Sequence, residues 1–307
     1  MHNGEALYAS NAGKLDGLAP EAYIQPQDNI LDNGHLEVNQ QAKKLYDKPG
    51  LTVDRWEIIG EYTKVEVVDD GIKITTTQPT MLNIFIQRIE IEKDLIREEL
   101  AATVALGDSS NVVEARVHAY SSNNAYLSGT NKFVNNNSTE TFGFIVPENT
   151  KRLQFIFRPA VFDGQETFFV IKRAKLEKGR RFTGWPVWNY ALELAKCQRY
   201  QYYKSGLWKF LGIGICPGFI NGKYELTMFV ALPVTMRTNP VATFENLYVT
   251  GGVSSYKTHK VTGIRAVQDY IGGVELALQT DDTLEIGVPY YLAIKDTNGY
   301  FYLNANL

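Results

Sequence analysis

Tyr190-Ala-Leu-Glu-Leu-Ala-Lys-Cys-Gln-Arg-Tyr200 is the one strongly helical segment in a chain that otherwise alternates short strands with turns. Alanine, leucine, glutamate and lysine favour the helix, and Asn189 is placed to cap its N-terminus. Leu192, Ala195 and Arg199 share one side, with Glu193 and Lys196 beside it, so the apolar face is narrow. A helix this short is marginal alone in water. It must dock on a domain or on copies of itself, with Leu192, Ala195 and Cys197 covered by a neighbouring chain or domain. The segment splits the 307 residues into two β-rich parts. The chain is therefore expected to be all-β with a short linking helix.

Strand signals begin near Asn29. Thr63–Val68 and Gly71–Thr77 alternate in polarity, with Asp69-Asp70-Gly71 as the turn between them. Leu82–Ile91, Glu99–Leu106, Val112–Tyr120, Thr141–Pro147, Leu153–Phe157 and Thr167–Leu176 bring the first part to about ten strands, enough for a sandwich. Val53-Asp-Arg-Trp-Glu-Ile58 resembles a strand of jelly-roll carbohydrate-binding modules. Ser121–Asn137 holds six asparagines and little apolar content. It reads as a long loop, or as a loop, short strand and loop. In the second part Leu207–Cys216, Tyr224–Leu232, Val274–Leu278 and Tyr290–Lys295 read as strands. Thr297-Asn-Gly-Tyr300 signals a hairpin whose arms would carry Tyr290, Tyr291, Tyr300 and Tyr302.

Composition excludes several classes. A net charge of −3 without a Lys/Arg-rich tract argues against nucleic-acid or anionic-membrane surfaces. No run of ~18 apolar residues is present to span a bilayer as a helix. Glu5, Lys14 and Asp16 interrupt the start of the chain, which does not read as a secretory signal. Cys197 and Cys216 lack metal-ligand spacing and read as buried thiols. His2, His35, His118 and His259 are scattered without zinc spacing. Gly212-Ile-Gly-Ile-Cys-Pro217 ends in proline where a dinucleotide fingerprint needs glycine, and Gly222-Lys223 lacks the rest of a P-loop. The chain is expected not to be an enzyme and to need no cofactor.

Local motifs resemble bacteriophage and prophage tail-fibre or receptor-binding proteins. Asn29-Ile-Leu-Asp-Asn-Gly34, Asp54-Arg-Trp56 and Gln87-Arg-Ile-Glu90 are similar to jelly-roll carbohydrate-binding modules. Ala174-Lys-Leu-Glu-Lys-Gly179, the helix with its Cys197-Gln-Arg-Tyr200 end, and Pro233–Phe244 resemble, in order, a junction of the same tail proteins. Asn11–Tyr23 is similar to a short element at tail-fibre attachment ends, where three chains bury side chains equivalent to Leu15, Leu18 and Tyr23. The resemblance covers about residues 1–245 in pieces. It implies an attachment segment (1–28), a jelly-roll β-sandwich (29–188), a linking helix (189–204) and a second C-terminal β-sandwich (205–307) as the host-contact tip.

The same resemblance implies function. The chain would be a non-enzymatic protein of the virion tail, a homotrimer among other tail and baseplate proteins. Multivalent weak sites would bind host cell-surface polysaccharide. The alternative is a structural baseplate or tail adaptor that binds no glycan. Sugar binding needs ring faces beside amide and charged groups. The candidates are Tyr120, Asn123, Asn124, Tyr126, Arg158 and Asp163 in the sandwich, and Tyr290, Tyr291, Tyr300 and Tyr302 in the C-terminal unit. Trp56 reads as core, and its neighbour Arg55 as the partner of an acid. Leu192 and Ala195 would join Leu15, Leu18 and Tyr23 in trimer or attachment contacts. Such modules often hold a structural Ca²⁺ between first and last strands, which would fall to Asp32 and Glu177.

Overall fold

The computed structural model describes residues 27–78, 80–91, 93–161, 164–206, 209–220, 223–251, 257–281 and 283–305; the side chains of 215–220, 223–224 and 265–266 are not described. Leu15, Leu18, Tyr23 and Asp163 lie outside these residues, and so does the side chain of Cys216.

Twelve strands precede the helix: β1 (Leu45–Tyr46), β2 (Gly50–Leu51), β3 (Glu57–Ile59), β4 (Thr63–Val68), β5 (Gly71–Thr76), β6 (Ile84–Glu90), β7 (Glu99–Ser109), β8 (Val113–Tyr120), β9 (Tyr126–Val134), β10 (Thr139–Ile145), β11 (Arg152–Pro159) and β12 (Thr167–Lys178). They form two six-stranded antiparallel sheets, β1-β4-β5-β12-β7-β10 and β2-β3-β6-β11-β8-β9. From β5 onward the chain passes between the sheets so that β5-β12-β7-β10 faces β6-β11-β8-β9, the strand order of a jelly roll. Period-two alternation drives this. On β11, Leu153, Phe155 and Phe157 are buried while Arg152, Gln154 and Arg158 stay half-buried on the other side. Trp56, fully buried, stacks on Phe85 with centroids 5.0 Å apart and packs against Phe155 and Phe157. Each such ring contributes about 1.5–3 kcal/mol by leaving water.

One local reading is corrected, and one left open is decided. Val53–Trp56 is a turn, and the strand starts at Glu57. Arg55 there has φ +72°, a left-handed conformation that costs a non-glycine residue about 1–2 kcal/mol. The open segment Ser121–Asn137 contains the nine-residue strand β9. Asn29–Gly34 is not a strand, yet it binds one: the Asn29 side chain donates to Ala174 O (2.8 Å) and accepts from Leu176 N (2.9 Å).

Helix α1 (Tyr190–Gln198) is where the sequence places it, and the Asn189 side chain accepts from Leu192 N (3.2 Å). Beyond it lie β13 (Gln201–Ser205), β14 (Lys209–Ile220), β15 (Lys223–Ala231), β16 (Val241–Glu245), β17 (Leu247–Gly251), β18 (Lys257–Tyr270), β19 (Gly273–Thr280), β20 (Pro289–Ile294) and β21 (Tyr300–Asn304). Of these, β14-β15-β19-β18-β17-β20 close into a six-stranded barrel, and β13-β21-β16 form a three-stranded sheet. Both share one core, with Tyr202, Phe301 and Leu303 of the small sheet joining Leu226, Leu276 and Leu292 of the barrel. The expected hairpin is not formed. Gly299 N donates to Asp296 O (3.1 Å), so the turn exists, but β20 pairs with β14 and β17 while β21 pairs with β13 and β16. The turn carries the chain from barrel to sheet because each arm has two other partners.

The helix docks on the sandwich. Glu193 Oε2 accepts from Asn33 N (2.9 Å), and Lys196 Nζ donates to Glu193 (2.7 Å). Cys197 is fully buried, whereas Leu192 is 56% exposed and Ala195 half-buried. Just beyond, the Arg55 guanidinium covers the Tyr200 ring at 3.5 Å. Its Nε donates to Asp32 (2.9 Å) and its backbone N to Gln201 Oε1 (2.5 Å). Gln201 Nε2 donates to the Tyr302 hydroxyl (2.9 Å), and Arg237 of the C-terminal unit pairs with Glu90 of β6. Polar contacts thus tie the two cores together, which offsets the strained backbone at Arg55.

Candidate functional site

The outer face of the β6-β11-β8-β9 sheet carries a set of partly exposed rings and hydrogen-bonding groups beside a groove. Register fixes its layout. One row across the sheet reads Tyr126 on β9, Tyr120 on β8, Arg152 on β11 and Glu90 on β6. The next reads Gly129, His118, Gln154 and Arg88. Four adjacent strands make each row about 15 Å wide.

The rings form a cluster. Tyr120 and Tyr126 meet edge-to-face at 5.9 Å, His118 meets Tyr126 at 5.3 Å, and the Arg152 guanidinium lies over Tyr120 at 5.3 Å. Tyr126 is 58% exposed. Gly129 makes this possible: a Cβ there would come within 2.5 Å of His118 Cδ2 and 2.8 Å of the Tyr126 hydroxyl. Burial, then Arg116, depresses the His118 pKa, with Glu114 opposing. The imidazole is thus neutral at neutral pH, offering one donor and one acceptor. Exposed ring faces with Gln154, His118 and the tyrosine hydroxyls around them can pack against sugar C–H faces and bond their hydroxyls.

Beside this row opens a groove of about 390 Å³, lined by Ile91, Lys93, Ile96, Ser121, Ser122, Asn149, Thr150 and Lys151. Lys151 N donates to Tyr120 O (2.9 Å), joining the groove to the ring cluster. Asn123 and Asn124 stand in the exposed β8–β9 turn. Asn123 Oδ1 accepts from Ala125 N (3.3 Å), and Asn124, at φ +63°, donates its backbone N to Ser121 O (3.1 Å). They shape the turn at the rim.

Arg158 shares the face but stands at the other end of β11 from Arg152, roughly 20 Å away. It donates to Glu114 (2.7 Å), as does Arg116 (2.7 Å). Burial opposes charge on Glu114, yet these bonds outweigh it and hold the carboxyl below its usual range. The four C-terminal tyrosines do not converge. Tyr290 is buried and its hydroxyl accepts from Glu285 N (2.8 Å). Tyr291 sits outside the barrel against Phe210, while Tyr300 stacks on Tyr203 and Tyr302 bonds Gln201 on the small sheet.

The two carboxylates implied for calcium each have a protein cation. Asp32 pairs with Arg55 (2.9 Å), and Glu177 with the fully buried Lys175 ammonium (2.9 Å). Lys175 Nζ also donates to Thr183 Oγ1 (3.1 Å) and Gly184 O (2.7 Å). Among the described residues no group of three or more His, Cys, Asp or Glu could hold a metal ion.

His118, Arg152, Gln154 and Arg88 were not among the residues expected from sequence. Strand alternation was the available signal: with Val117 and Phe155 inside, His118, Tyr120, Arg152 and Gln154 must face out.

No protein-family model matches the chain, and no curated protein does. Solved structures align with it at low similarity. An enzymatically active domain of bacteriophage CBA120 tailspike protein 4 aligns over 49% of this chain and 21% of its own, at 12% identity and TM-score 0.34. A structure described as "CBM4 structure and function" aligns over 48% of this chain and 98% of its own, at 17% identity and TM-score 0.34. The CBM22 tandem domain of Paenibacillus barcinonensis Xyn10C aligns over 93% and 99%, at 10% identity and TM-score 0.33. The chain thus spans about a fifth of the tailspike domain. None reaches a TM-score of 0.5, so the site is read from this chain's own residues.

Proposed function

We propose that this chain is a non-enzymatic glycan-binding protein of the tail-fibre or receptor-binding type, attaching a virion tail to host cell-surface polysaccharide. The observation that carries the reading is the exposed Tyr126 ring set against half-buried Tyr120, in a polar row beside a groove. The sandwich face, rather than the barrel, holds the sugar. Single sites of this open kind bind weakly, and copies in a homotrimer raise the effective concentration. An apolar row on the barrel exterior, Tyr291, Ile213 and Phe229 on adjacent strands, offers a surface for contacts between copies. Glu57, Glu90 and Glu114 on the sandwich face are each engaged by arginine, which fits binding rather than acid catalysis.

Glycan-array and whole-cell binding by the full chain test this. Tyr126→Ala and Tyr120→Ala are each expected to weaken binding about tenfold or more with the fold intact. Unchanged binding in both variants would remove the site. The same barrel row favours a second reading, a baseplate adaptor that docks tail subunits and binds no glycan. Assembly into particles with no affinity for any glycan would establish it.

A further inference from the structure

Granting that this face binds sugar, we infer that the sugar is acidic, a carboxylate-bearing pyranose whose charge is held by Arg152. Charge pairing on the face is complete at every other arginine. Glu57 pairs with Arg88, and Glu114 takes both Arg116 and Arg158. The Arg152 side chain has no ion pair or hydrogen bond among the described residues, and its Nε is buried without a partner. Its cross-strand neighbour Glu90 is the obvious partner, but that carboxylate is turned to Arg237 of the C-terminal unit. The neighbouring unit therefore removes the acid that would neutralise the row.

What remains is a guanidinium over the Tyr120 ring, with its Nε edge buried and its outer end facing solvent. That end matches a planar carboxylate in two parallel bonds, while the exposed Tyr126 ring offers the sugar ring a face. The groove next to it adds Lys93 and Lys151, both exposed and neither ion-paired among the described residues. None of its described lining residues is acidic; Glu92 lies outside the described set. This positive end belongs to a chain whose net charge is −3, so general composition does not explain it.

Affinity electrophoresis and calorimetry of the full chain on polygalacturonate, alginate and hyaluronan, each beside its carboxyl-reduced form, test the inference. The acidic form of at least one should bind about tenfold tighter at low salt, with the gap closing as salt rises. Arg152→Gln should abolish that preference, read as the ratio of acidic to carboxyl-reduced affinity within the same variant, and Arg152→Lys should restore part of it. Arg237→Gln, which frees Glu90 to turn to Arg152, should lower the preference with Arg152 still present. Circular dichroism checks that each variant folds. Equal affinity for acidic and reduced forms overturns the acidic sugar and leaves glycan binding standing. Tighter binding to a phosphate-bearing teichoic acid than to every carboxylate overturns the carboxylate. Binding to no polysaccharide overturns both readings.

Discussion

Asp54 and His35 are buried groups whose ionisation opposes folding in opposite directions. Burial raises the Asp54 carboxyl to about 6, against hydrogen bonds from Gln40. The folded state therefore holds that proton better than the unfolded chain. The stability is full below the unfolded pKa near 3.8 and is lost as pH rises through about 6, a swing of about 3 kcal/mol. His35, stacked on Trp188, is lowered to about 4 by burial and then by Arg173. Its contribution is present above the unfolded value of 6.5 and is lost as pH falls through about 4. The two nearly cancel between these limits. Asp54→Asn should expose the His35 term: denaturant titrations from pH 7 to pH 4 should show the variant losing stability relative to the parent. A constant difference across that range would contradict the assignment. At this scale the sequence was legible where chemistry is local. Trp56 is core, Asn189 caps the helix and Arg55 finds an acid. Arg152 was not legible, because its isolation depends on Arg237, 85 positions away along the chain.

The element that decides the site is β9, an edge strand inside an asparagine-rich segment that the sequence leaves open between a loop and a short strand flanked by loops. Its pairing with β8 is what places Tyr126 beside Tyr120, and a sequence motif does not encode that cross-strand registry. Gly129 in its middle gives a direct test. Gly129→Ala puts a methyl where the His118 ring and the Tyr126 hydroxyl now lie. Both belong to movable side chains, and Val117 O on β8, 3.1 Å away, needs to give only slightly, so the strand should persist and the rings separate. Glycan affinity should fall several-fold while the melting temperature changes little, as binding and calorimetry on one preparation would show. The helix was the clearest element in the sequence: Cys197 is covered within the chain, as docking on a domain requires, and Leu192 faces solvent in the single chain. Burial first, then Asp54 and Asp32, pushes the Cys197 thiol up, so it should resist alkylation by iodoacetamide until the protein unfolds.

At the scale of the whole molecule, two cores are joined by a polar junction centred on Arg55, Tyr200, Gln201 and the Glu90–Arg237 pair. Removing one partner of a buried ion pair costs about 3 kcal/mol. Arg55→Ala should therefore split a single thermal transition into two, while a single unshifted transition would show that the junction carries little. The two-part β organisation was legible from strand periodicity; the closure of β14, β15 and β17–β20 into a barrel was not, because closure depends on which edges meet. In the proposed function the sandwich face, and not the barrel, binds glycan. Titrating one bound polysaccharide into Tyr126→Ala and Tyr291→Ala separates the two surfaces. Binding should be about tenfold weaker in Tyr126→Ala and parental in Tyr291→Ala. Loss in Tyr291→Ala with parental binding in Tyr126→Ala would contradict it.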